Sequence, residues 1–323
     1  MSKYLRKFET EAEYSAATIY RPSVSLIEDT EAVIFDPKPH DYSEDYLTFR
    51  ALEDGTFSFS GSSTANCLSY STDSGATWSE PSSAITTSTL SSGDTVLWKG
   101  SGMSPANIRG IGTFSSTSQF EAEGNIMSLL FGDNFSGQTD LTGYNYAFYQ
   151  LLGTNKGTNA KLVNVDNLIL PATTLAERCY AAMFRGCTSL TTAPELPATT
   201  LKSSCYENMF RDCTSLTTAP ELPATTLAGA CYSTMFYGCS GLTESPILPA
   251  TTLKNGCYRG MFSGCTSLSA ITCLATTGIT NNTSSWVDGV AANGTFTKAA
   301  STSSWTTGVN GIPSGWTVVD YTE

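Results

Sequence analysis

The sequence predicts a mixed, β-rich fold in which an N-terminal arm precedes a small antiparallel β-sandwich and a solenoid of 26-residue units with degenerate caps. Three observations carry that expectation. A motif recurs four times without insertion, apolar residues alternate with period two between residues 46 and 124, and Ser, Thr and Gly abound while charged residues make up only 14%. At 323 residues the chain exceeds one average domain and has apolar residues enough for a core in each of two or three units.

Residues 1–45 read as the arm. Thr10 and Glu13 have capping-box spacing, and Phe8, Ala12 and Ala16 share one helical face. Val24/Leu26 and Val33/Phe35 then alternate around Glu28-Asp29-Thr30-Glu31, the pattern of a small hairpin, and Pro37 and Pro39 close the segment. The arm is too small to own a core, so Phe8, Val24, Leu26, Val33 and Phe35 are expected to be buried against a partner.

Residues 46–124 read as the sandwich: Leu47/Phe49/Ala51, an Asp54-Gly55 turn, Phe57/Phe59, then Val96/Trp98, with Ser/Thr/Gly-rich turns between. Residues 125–277 read as the solenoid. Leu-Pro-Ala-Thr-Thr-Leu begins at Leu170, Leu196, Leu222 and Leu248, each 26 residues after the last. Between these blocks a Cys-Tyr-x-x-Met-Phe-x-x-Cys motif keeps the same register. It comprises Cys179, Tyr180, Met183, Phe184 and Cys187, and recurs as Cys205, Tyr206, Met209, Phe210 and Cys213. The third copy is Cys231, Tyr232, Met235, Phe236 and Cys239, and the fourth Cys257, Tyr258, Met261, Phe262 and Cys265. At 3.6 residues per turn these positions share one face, which predicts a two-turn helix stopped at Gly186, Gly238 and Gly264.

Stacking identical units turns each position into a core ladder. Ile126–Phe131 and Phe148–Leu152 read as decayed units at one end; at the other, Ala275 stands where proline is expected and Ile279 where leucine is expected. Residues 278–323 echo Thr283-Ser284-Ser285-Trp286 in Thr302-Ser303-Ser304-Trp305 and, with Phe296, Ile312 and Trp316, read as a C-terminal cap.

On these residues the chain resembles the BspA-like branch of leucine-rich-repeat proteins of gut anaerobes and their phages, whose units carry an aromatic-x-x-Cys-x-x-Leu core like Phe184–Leu190. The resemblance covers residues 125–323, including Gly311-Ile312-Pro313-Ser314-Gly315-Trp316-Thr317-Val318, and residues 46–124 are similar to the β-domain often placed before such repeats. It implies adhesion to proteins or glycans rather than catalysis. The first 40 residues, through Lys7-Phe8-Glu9-Thr10, Val24-Ser25 and Val33–Phe35, are similar to N-terminal segments of phage structural proteins, which implies a fibre or capsid-decorating protein of the virion surface. The partners implied are other virion proteins at the arm, a host-surface protein or glycan at the solenoid, and further copies of the chain; the alternative is a bacterial cell-surface adhesin.

Composition and motifs narrow the chemistry. A net charge of −12 repels phosphate backbones, no Lys/Arg stripe is present, and no stretch is long enough to span a bilayer, so neither nucleic acid nor membrane insertion is expected. Basic residues near Met1 are followed by Glu9, Glu11 and Glu13 where a signal peptide needs an apolar core, so folding in the cytosol is expected. The single histidine, His40, sits in a Pro-rich linker, which argues against histidine triads and histidine metal clusters. Gly153–Gly157 lacks the spacing of a phosphate loop. Ser71-x-Asp73-x-Gly75-x-Thr77-Trp78 matches the Asp-box of sialidases and other β-proteins, where Asp and Ser bond a hairpin turn and Trp packs beneath it. A glycan hydrolase would need an acid/nucleophile pair that the chain does not offer, so no catalytic residue and no cofactor are expected. The cysteines are expected to be free, buried thiols. Asp133, Asn134 and Asp140 offer oxygens for calcium but miss the EF-hand spacing, and the acidic pairs Glu121/Glu123 and Glu207/Asp212 read as solvated faces.

Overall fold

A computed structural model describes residues 23–25, 34–36, 40–63, 66–105, 110–154, 159–300, 302 and 304–322. The chain forms two compact units, Met1–Tyr42 and Ser43–Glu323. In the first, β1 (Ser23–Ser25) and β2 (Ile34–Asp36) pair antiparallel with Val24 opposite Phe35, in the register expected of the hairpin. The expected helix, Phe8, Leu26 and Val33 lie outside the described residues.

The second unit opens with the sandwich. Its strands are β3 (Leu47–Ala51), β4 (Phe57–Gly61), β5 (Leu68–Ser71), β6 (Ala84–Thr86), β7 (Thr95–Gly100), β8 (Gly112–Ser116) and β9 (Phe120–Asn125). They form two antiparallel layers in the orders β5-β7-β3-β9 and β6-β4-β8. The period-two alternation turns Phe49 and Trp98 of one sheet toward Phe57 and Phe114 of the other, with ring centroids 5.5 Å apart for Phe49–Phe57 and 4.9 Å for Trp98–Phe114.

Sandwich and solenoid share β9. Along it, β10 (Leu162–Asn164) and β11 (Leu168–Ile169) pair in parallel, Leu168 lying opposite Gly124. Gly124 has φ +83°, and a Cβ there would lie 2.1 Å from the Tyr46 carbonyl oxygen, so glycine lets the chain pass between the two bodies. Ile126–Phe131 is not a solenoid turn. It forms the one-turn helix α1 (Ser128–Phe131) against the sandwich, where Ser128 Oγ accepts from the Leu47 amide and donates to the Trp98 carbonyl.

The repeat motif forms no helix either. Its apolar stripe advances by four residues, and the backbone follows that period: Arg178, Ala182 and Gly186 are left-handed, with φ of 53°, 55° and 75°. Ser204/Asn208/Asp212, Ala230/Thr234/Gly238 and Gly256/Gly260/Gly264 repeat the pattern. The result is a ribbon of overlapping turns. Odd-numbered amides from Cys179 to Cys187 donate to carbonyls three residues back, while Arg178, Tyr180, Ala182, Phe184 and Gly186 donate to Ser203, Cys205, Glu207, Met209 and Arg211 in the next turn. An α-helix would spend its amides internally. Here half of them lace the stack together.

Side chains follow the lacing. Phe148, Tyr180, Tyr206, Tyr232, Tyr258 and Trp286 form one stacked column, with successive centroids 5.4 to 6.2 Å apart. Phe184, Phe210, Phe236 and Phe262 form a second, at 5.4 to 5.8 Å. Phe148–Leu152 is therefore a genuine turn of the stack, with Tyr146 and Gln150 left-handed at φ 61° and 54°. Met183, Met209, Met235 and Met261 fill the interior beside the rings.

On the other side of the stack, strands appear at the two ends, with β10 and β11 beside β9 upstream and a larger sheet downstream. β12 (Glu244–Leu248), β13 (Ala270–Cys273), β14 (Thr295–Lys298) and β15 (Thr317–Asp320) make a four-stranded parallel sheet. Upstream, the equivalent segments carry Pro194 and Pro220, which cannot donate to a ladder. Among the described residues, no backbone hydrogen bond joins 193–198 to 219–224. Pro246 sits on the edge strand β12, and Thr272 follows it in β13. The tail closes the open end. Between β13 and β14 lies a second one-turn helix, α2 (Ile279–Asn282). Beyond it Trp286 is fully buried, its Nε1 donates to the Gly311 carbonyl over 2.8 Å, and Trp305 stacks on it at 5.4 Å.

Candidate functional site

Ser71 and Asp73 organise the turn after β5. Ser71 Oγ accepts from the Gly75 amide at 2.9 Å, and Asp73 takes the Thr77 amide at 2.9 Å and the Thr77 hydroxyl at 2.6 Å. Gly75 allows the turn with φ +87°. The hydrogen bonds from Thr77, then that from Ser71, hold the exposed Asp73 carboxyl at about 2, below its ordinary 3.8. The chain then runs back along β5, the Ser79 amide donating to the Tyr70 carbonyl at 2.9 Å.

Trp78 packs edge-on to Tyr46 at 5.0 Å, and Lys99 Nζ lies 4.2 Å above its ring. The same ammonium bonds Asp133 Oδ1 at 2.8 Å, which also accepts the Tyr46 hydroxyl at 2.7 Å. Burial first, then Asp133, raises the Tyr46 phenol to about 12. Asp133, weighed above as a calcium ligand, thus holds a protein cation, while Asp140 accepts the Thr142 amide at 2.7 Å. Among the described residues, no three His, Cys, Asp or Glu side chains gather into a metal-ligand set. His40 is exposed and meets the Tyr42 ring edge-on at 4.7 Å.

The thiols line the stack in two columns. Cys179, Cys205, Cys231 and Cys257 form one; Cys187, Cys213, Cys239 and Cys265 form the other; all eight are free and buried, as is Cys273. In the second column the thiols of Cys213, Cys239 and Cys265 donate to the Phe184, Phe210 and Phe236 carbonyls of the preceding turn at 3.1, 3.0 and 2.9 Å. Burial pushes Cys179 and Cys265 up to about 12. These thiols are hydrophobes with a donor.

The outer edge of the ribbon carries polar and charged contacts between turns. Arg178 bridges to Glu207 of the next turn at 2.7 Å, Arg211 lies 4.2 Å over the Tyr237 ring, and Thr234 donates to Asn208 at 2.9 Å. The acidic pairs expected to be merely solvated are engaged: Glu123 bonds Arg50 at 2.8 Å with 13% of its side chain exposed, and Asp212 meets Arg211 at 3.4 Å. Sequence reading missed the Arg50–Glu123 and Arg178–Glu207 contacts because they cross between strands or turns, and the Arg211–Asp212 contact because it depends on the local backbone path. No helix among the described residues is long and apolar enough to cross a membrane. No family model, curated protein or solved structure matches the chain.

Proposed function

We propose that the chain is a non-enzymatic structural protein of a phage virion, a fibre or capsid-decorating component of the particle surface. The N-terminal arm docks on other virion proteins, and a BspA-like leucine-rich-repeat solenoid of 26-residue units is presented outward to a host protein or glycan. The observation supporting this reading is the division of labour along the chain: a small unit bearing a hairpin, then a large unit whose interior is closed by ring and thiol columns and whose outer edge offers varied polar groups. Copies repeated around a symmetric particle would multiply weak contacts into avidity.

Deletion of residues 1–42 is the test. The cut spares Ser43 and Asp45, whose carbonyls accept from Asn125, so the remaining unit should stay soluble and folded while losing incorporation into particles. Normal incorporation of the truncated chain would overturn the docking role of the arm, and absence of the intact chain from purified particles would favour the cell-surface adhesin.

A further inference from the structure

The stack encloses nine thiols, all buried and none paired in a disulfide. In the second column each thiol points at a backbone carbonyl of the turn before it, so joining two sulfurs would withdraw both donors from buried carbonyls. Bridging Cys179 to Cys187 within one turn would shorten the ribbon itself. We propose that this solenoid is a redox-ordered fold: it forms only while its thiols are reduced, and once formed it shields them, so that oxidising surroundings leave the native protein intact but make any unfolding irreversible.

The chemistry is thiol–disulfide exchange with a low-molecular-weight disulfide such as oxidised glutathione. In the open chain one cysteine thiolate attacks the glutathione disulfide, forming a mixed disulfide and releasing one glutathione thiolate. A second cysteine thiolate attacks the protein sulfur of that mixed disulfide, forming the protein disulfide and releasing the second glutathione. The two protein thiol protons end on the two released glutathiones, and the two electrons lost by the protein reduce the reagent. In the folded chain neither attack can begin, because exchange needs an accessible thiolate, and burial both blocks the reagent and disfavours the charged sulfur. The inference concerns the solenoid interior and holds whichever surface the protein decorates.

The test uses the full chain carrying Cys67→Ser, since Cys67 in the sandwich is the one half-buried thiol. Purified folded protein is held in oxidised glutathione, and free thiols are counted with and without denaturant; the expected result is none reactive in buffer and nine in denaturant. In parallel the chain is made by cell-free translation in dithiothreitol or in oxidised glutathione, and soluble, protease-resistant monomer is measured. The expected result is loss of that species in the oxidising reaction, with recovery when dithiothreitol is present from the start. Equal yields in the two translations, or oxidation of the folded protein at the rate of the denatured chain, would overturn the proposal.

Discussion

At the scale of single residues, the ladders contain small costs that the stack as a whole absorbs. Tyr180 Oη and Tyr232 Oη are buried with no hydrogen-bond partner, whereas Phe148 occupies the same column without a hydroxyl. Tyr180→Phe and Tyr232→Phe should therefore be neutral or stabilising, by up to about 1 kcal/mol; a thermal melt that falls clearly for either would show that the hydroxyl is satisfied. The left-handed positions offer a second comparison. Gly256 has φ +64° and open room for a Cβ, with its nearest neighbour at 3.9 Å, so Gly256→Ala isolates the backbone cost at about 1 kcal/mol. Ala230 holds the equivalent place one turn earlier at φ 53°, and Ala230→Gly should raise the melting temperature. Burial of the cysteines was legible from their register in the repeat. Their donation to the carbonyls of the preceding turn was not, because it depends on the backbone path.

At the scale of elements, the sequence announced the stripe and concealed its shape. Positions 179, 180, 183, 184 and 187 satisfy a helix about as well as a four-residue turn ribbon, and only lateral hydrogen bonding to a neighbouring turn decides between them. The column is what carries the energy in either case. Phe210→Ala removes a ring stacked on both sides, with centroids at 5.4 and 5.7 Å, and should cost about 3–5 kcal/mol, while the exposed Thr225→Ala should cost little. Equal denaturation midpoints for the two variants would mean that the rings are not the core. The turn after β5 makes a pH prediction. Asp73 titrates at about 2 when folded, below its ordinary 3.8 in an open chain, so its contribution is complete above that ordinary value and is lost as pH falls through about 2. Melts between these limits should slope less for Asp73→Asn than for the parent; identical slopes would show that the carboxylate does not hold the turn.

At the scale of the whole molecule, a β-rich chain ending in a solenoid could be read from the period-two alternation and the repeat. The seam could not. β9 serves both sandwich and solenoid, and nothing local to Phe120–Asn125 reveals that its parallel partners lie some forty residues on, at Leu162–Asn164 and Leu168–Ile169. The proline rows have a mechanical consequence. In the upstream turns the ribbon side is laced by backbone bonds throughout, but among the described residues the segments 193–198 and 219–224 around Pro194 and Pro220 share none and are laced only at their flanks, as from Thr217 to Thr191; from β12 onward both sides are laced. A bending load should therefore open the upstream half along its proline side, as a book opens at its fore-edge, while the downstream half resists as a rod. The compliant half is the one joined to the sandwich, and the stiff half is the one that ends in the tryptophans, so the solenoid should flex beside the sandwich and stay rigid at its tryptophan-bearing end.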